Sequence, residues 1–119
     1  MTQQVVNNAS GNFAPDCSSY DSFDIYCDGN LHIQAPTGLT AGDIKLVYFR
    51  IQAEPATGPW TITWANSPSG PFLLRFGVQM LPDEAVDGSE NRVLFAATDG
   101  ALVSLFTITQ NNGWTNPEV

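Results

Sequence analysis

The chain has 119 residues, enough for one hydrophobic core but not two, and is 43% apolar with only 13% charged residues, so a packed domain is expected rather than a disordered segment. Four Lys/Arg against twelve Asp/Glu leave a net charge of −8. That sign repels phosphate backbones and anionic headgroups, so nucleic acid and membrane surfaces are not expected partners, and no run approaches the ~20 apolar residues of a membrane helix.

Residues 1–20, MTQQVVNNASGNFAPDCSSY, are rich in Asn, Gln, Ser and Gly and show no period. They are expected to form an extended N-terminal arm, ordered on contact with a neighbour or left as a tail, ahead of a β-sandwich domain over residues 21–119. The arm has neither a basic n-region nor an apolar h-region, so no secretory signal is read there and synthesis in a cytosol is expected. On that expectation the acceptor pattern Asn8-Ala9-Ser10 carries no glycosylation meaning. Cys17 and Cys27 have no Cys or His neighbour at metal-ligand spacing. Isolated thiols of this kind more often stay free, and an oxidising compartment would let them bridge a short loop.

From Ser22 the texture becomes strand-like. SFDIYC puts Phe23, Ile25 and Cys27 on one face, Asp28-Gly29-Asn30 has the composition of a tight hairpin, and NLHIQA puts Leu31, Ile33 and Ala35 together. After PTGLTAG, the segment DIKLVYFRIQ carries apolar residues on both faces, which predicts a central strand covered on both sides: Ile44, Leu46 and Tyr48 on one, Val47, Phe49 and Ile51 on the other. WTITW aims Trp60, Ile62 and Trp64 one way and Thr61 and Thr63 the other. After the NSPSGP turn, Phe72, Leu74, Phe76, Val78 and Met80 alternate as a further core wall. LPDEAVDGSEN is an acidic loop, and RVLFAAT and ALVSLFTIT form a last pair of strands joined by Asp99-Gly100. No segment has a helical period. The expected fold class is all-β, a β-sandwich or jelly-roll-like unit of about seven strands preceded by the arm.

Chemistry-bearing constellations are scarce. A Ser-His-Asp or Cys-His device could use only His32, and no nucleophile elbow accompanies it, so a surface or hydrogen-bonded strand histidine is expected. Asp83, Glu84, Asp87 and Glu90, with Gly88 for a sharp turn, offer oxygen ligands, but their spacing matches no calcium loop and solvated carboxylates are the plainer expectation. A carboxylate pair for glycoside hydrolysis has no recognisable placement. Trp60 and Trp64 share a face with Ile62, so core packing is favoured over a sugar-stacking platform; Trp114, in the polar tail QNNGWTNPEV, is the better candidate for an intermolecular contact. Phosphate loops, dinucleotide fingerprints, HExxH and zinc spacings do not occur. A non-enzymatic chain without metal or cofactor is expected.

The second faces of several strands (Ile44, Leu46, Tyr48, Leu94, Val103, Leu105) are apolar in a chain with little charge to clothe them, which predicts self-association. The residues expected at a protein–protein interface are Phe13, Ile44, Leu46, Tyr48, Val103, Leu105 and Trp114.

Over residues 20–114 the order of features resembles a β-rich segment recurring in structural proteins of tailed bacteriophages: head-decoration proteins, head fibres and tail-fibre modules. The matching pieces are DGNLHIQAPTGLTAGDIKLVYFRIQ, GPWTITWAN and NRVLFAATDGALVSLF, while the acidic loop and the strand over residues 72–80 depart from the pattern. The resemblance implies a virion component, usually homotrimeric, assembled in the host cytoplasm. A short free-standing chain suits a capsid decoration (cement) protein bound to the major capsid protein better than a multi-segment fibre. A head-fibre or tail-fibre module is the runner-up, and a carbohydrate-binding module reading host glycans through exposed tryptophans is the alternative of another class.

Overall fold

The computed structural model describes residues 2–64, 72–74, 84–88, 90–99 and 101–109, with the backbone alone for residues 72–74, 101 and 103–109. The fold is all-β: β1 (Gln3–Phe13), β2 (Ser22–Ile33), β3 (Lys45–Ala53), β4 (Trp60–Trp64), β5 (Phe72–Leu74), β6 (Glu84–Ala85), β7 (Asn91–Thr98) and β8 (Ala101–Thr109), with no helix among the described residues. They form one curled mixed sheet in the order β5-β8-β7-β3-β2-β4-β6, with β1 paired to β2.

The first half is built from three passes of the chain running in the same direction. β2 carries β1 along its length; its other pairings are to β3 over Ser22–Cys27 and to β4 over Leu31–Ile33, all parallel. Residues 54–59 leave the sheet between β3 and β4. The register stacks like positions in rows: Val6–Ile25–Ile51, Ala9–Cys27–Ala53, Gly11–Leu31–Ile62 and Phe13–Ile33–Trp64. Alternation along each pass therefore becomes a continuous apolar ladder across passes. The connections stack as well. Cys17 N–H donates to Thr37 O at 2.9 Å and Thr37 N–H to Pro15 O at 2.9 Å. Gly38, at φ +85°, lies against Ser18 so closely that a Cβ there would stand 2.6 Å from Ser18 Cβ and 2.8 Å from its backbone nitrogen.

The second half reverses direction. β7 runs antiparallel to β3 and β8 antiparallel to β7, the pair closing from Thr98 opposite Ala101 across the predicted Asp99-Gly100 turn. The core lies on the inner face, where Phe23, Ile25, Val47, Phe49, Ile51, Val93 and Phe95 are fully buried. Each such side chain contributes about 1.5–3 kcal/mol. Its centre is a run of rings: Phe23 to Phe49 at 5.1 Å, Phe49 to Phe95 at 5.3 Å edge-on, and Trp64 to Phe95 at 5.5 Å.

Several expectations are corrected. Residues 3–13, expected as an arm outside the domain, are strand β1, whose Val6 and Phe13 pack against the core. Asn/Gln-rich composition hid a strand that is mostly exposed and kinked at Asn8 (φ 55°) and Gly11 (φ 71°). Asp28-Gly29-Asn30 is not a hairpin turn but the middle of the unbroken 12-residue β2. Gly29 is required by close approach, since a Cβ there would sit 2.9 Å from Ser10 Cβ. β3 is covered on one side only: Val47, Phe49 and Ile51 are buried, whereas Leu46 is exposed and Tyr48 half-buried. Of the strand expected over residues 72–80, residues 72–74 form β5, parallel to β8, and the remainder lies outside the described residues.

Candidate functional site

The outer face of the sheet holds most of the side chains that the core does not use, and it divides into three zones. The first is apolar. Ile44 and Leu46 are 75% and 60% exposed at the start of β3. The turn before them is fixed by Asp43, whose Oδ2 accepts from Thr40 N–H (3.0 Å) and Thr40 Oγ1 (2.9 Å), contacts that hold its carboxyl below the usual range. Register carries the zone across neighbouring strands: Leu46 pairs with Ala96 and Ala96 with Val103, while Tyr48 pairs with Leu94 and Leu94 with Phe106.

Next comes an ionic zone, where Asp24, Arg50 and Arg92 stand in one row of β2, β3 and β7. Arg50 grips Asp24 with two bonds, Nε to Oδ1 at 2.8 Å and Nη2 to Oδ2 at 2.6 Å, and its Nη2 also donates to Tyr26 Oη at 3.1 Å. Glu90 bridges the two arginines, 2.7 Å from Arg92 Nη2 and 3.5 Å from Arg50 Nη1. Bonding to Asp24 raises the already high Arg50 pKa, so this guanidinium stays charged. Asp24 is only 6% exposed, which makes its partner a structural requirement rather than a surface ornament.

The third zone is polar and holds no carboxylate, lysine or arginine. Asn12, His32 and Thr63 form a row across β1, β2 and β4. His32 Nδ1 lies 2.8 Å from Thr63 Oγ1, and Thr61 N–H donates to Asn30 Oδ1 at 2.9 Å. These residues, with Thr61 and the backbone around Gly11 and Leu31, line a shallow groove of about 270 Å³.

The expected interface residues separate in this structure. Ile44, Leu46 and Tyr48 come together on the outer face, and the backbone register brings Val103 into their row. Leu105 falls at a shift of the β7–β8 register, and only its backbone is described. Phe13 turns toward the protomer's own core, edge-on to Phe23 at 6.0 Å. Trp114 lies outside the described residues. Trp60 and Trp64 are half-buried against the core, with Trp60 Nε1 donating to Thr57 Oγ1 at 3.1 Å, an arrangement that does not offer their faces as a sugar platform. Within the acidic loop Asp83 lies outside the described residues, Asp87 Oδ2 accepts from Ala56 N–H at 2.9 Å, and Glu90 belongs to the arginine cluster. Cys17 and Cys27 are free, fully buried thiols, pushed up to about 11 and about 12 by burial.

The polar row escaped sequence reasoning because Asn12 sits in the segment taken for an arm and because parallel neighbours are distant in sequence. A signal did exist: Ala14-Pro15 and Ala35-Pro36 recur at the places where the Asp16–Thr37 bridge stacks one pass on the next. Comparison with protein families, curated proteins and solved structures finds no match to this chain.

Proposed function

We propose that this chain is a non-enzymatic structural protein of a tailed-phage virion, a homotrimeric capsid decoration (cement) protein that binds the major capsid protein on the outside of the shell after assembly in the host cytoplasm. The observation that carries the self-associating part is the apolar zone: in a chain of net charge −8, Ile44 and Leu46 stand 75% and 60% exposed beside the rows Leu46–Ala96–Val103 and Tyr48–Leu94–Phe106. The virion assignment rests on the resemblance over residues 20–114. In this reading the curled sheet belongs to a β-sandwich or jelly-roll-like protomer of about seven strands.

The mechanism is that of a clamp. A protein that binds only the assembled lattice stabilises it by mass action, and a trimer over equivalent sites gains from effective concentration once one subunit has docked. The acidic exterior keeps decorated particles apart. Electron microscopy of particles produced with and without this chain tests the assignment. Density at regular positions on the outer shell, lost when the chain is omitted, is expected; density on the tail or at a single head vertex would replace the decoration role with that of a fibre module, and particles unchanged by its omission would contradict both.

A further inference from the structure

We propose that the groove between β1, β2 and β4 is a binding site for a neutral, hydroxyl-rich ligand, a single pyranose unit of an uncharged glycan. This inference stands on the third zone of the outer face and does not depend on the apolar zone or on the decoration role.

Three observations converge on that ligand class. The first is charge: twelve carboxylates are distributed over this chain, yet no carboxylate, lysine or arginine lines the groove. Its polar side chains are Asn12, Asn30, His32, Thr61 and Thr63, which together offer amide, imidazole and hydroxyl groups able both to donate and to accept, as a polyol requires. A second observation is fixation. The His32 ring is held by Thr63 Oγ1, which leaves Nε2 for a ligand, and Asn30 is held by Thr61 N–H through its oxygen, which leaves its NH₂ as a donor. Asn12, Asn30, Thr61 and Thr63 are all exposed and so displayed to solvent, and for His32, Asn30 and Thr63, which are already held, binding loses little rotamer freedom. The last is space. The groove measures about 270 Å³, and a Cβ built at Gly11 meets nothing within 4 Å, so the backbone there is open to approach. That is room for one sugar ring and not for an extended chain. The site differs from a tryptophan platform, because Trp60 and Trp64 are committed to the core.

The test uses the full-length isotope-labelled chain titrated with methyl glycosides of glucose, galactose, mannose and N-acetylglucosamine, with galacturonic acid as the charged control, followed by amide chemical shifts. Saturable shifts centred on Asn12, Asn30, His32 and Thr61 are expected for at least one neutral glycoside, with a dissociation constant of about 1–10 mM. Asn12→Ala and Thr61→Val, exposed positions whose replacement leaves the core intact, should each weaken it about fivefold, the loss of one hydrogen-bonding group. Galacturonic acid should bind more weakly than its neutral counterpart. No saturable shift from any neutral glycoside up to about 50 mM, shifts lying elsewhere on the sheet, or affinity unchanged in both variants would overturn the proposal.

Discussion

The two sides of β3 obey the same alternation and meet different fates. On the inner side Val47, Phe49 and Ile51 have no exposed surface; Phe49 and Ile51 are seated in rows with residues of β2 and β7, and Val47 pairs with Phe95 of β7. Leu46, on the outer side, is 60% exposed, Tyr48 is half-covered and Arg50 is held by Asp24 and Glu90. Among the described residues the protomer therefore completes its own inner surface, secures the middle of the outer one with charge pairs, and leaves the apolar end uncovered. Apolar alternation on one face is a folding signal; repeated on the opposite face of the same strand, it becomes an association signal.

That contrast can be broken by mutation, the inner face first. Phe49→Ala removes a ring in contact with Phe23, Trp64 and Phe95 and should cost about 4 kcal/mol, read as a fall in urea midpoint. A loss under about 1 kcal/mol would mean the inner face is not the core. Gly38→Ala combines a positive-φ position with a clash against Ser18 backbone and should cost about 3 kcal/mol by the same measurement, testing whether the stacked connections are as close as described. On the outer face, Arg50→Ala leaves Asp24 with a poorly solvated charge and should cost about 2 kcal/mol, part of which returns in the Asp24→Asn, Arg50→Ala double variant.

The smallest effect is a pH dependence. Cys17 and Cys27 titrate at about 11 and about 12 in the folded chain, against an ordinary thiol value of 9.0, because burial disfavours the thiolate. Their contribution to stability is therefore complete below pH 9 and declines as pH rises toward the folded values, since the unfolded chain releases those protons first. Urea midpoints at neutral and alkaline pH should fall more steeply for the natural chain than for Cys17→Ala, Cys27→Ala.

The sequence made the all-β class legible, together with the alternation of β3 and β4 and the β7–β8 turn, because each is a local period or a two-residue turn signal. It did not reveal the parallel passes. Asp28-Gly29-Asn30 looks like a turn in isolation, but apolar phase runs straight through it, from Phe23, Ile25 and Cys27 to Leu31 and Ile33. A two-residue turn would have thrown the second group onto the opposite face, whereas a three-residue turn keeps it, so phase alone does not separate a hairpin from a through-running strand. β1 was hidden for a different reason: a strand whose covered positions include Gln4 and Ala9 shows no hydrophobic period, and its place is set by pairing with β2. The polar groove went unread because Asn12, His32 and Thr63 meet only when three distant segments lie side by side, a stacking signalled only by the recurring Ala-Pro pairs.

Sedimentation velocity of the purified chain across a hundredfold concentration range, beside the variant Ile44→Gln, Leu46→Gln, tests the central claim most directly. The account predicts that the natural chain associates to a trimer while the variant, its inner face untouched, stays folded and monomeric. A natural chain that remains a monomer throughout, or a variant that associates just as well, would contradict it.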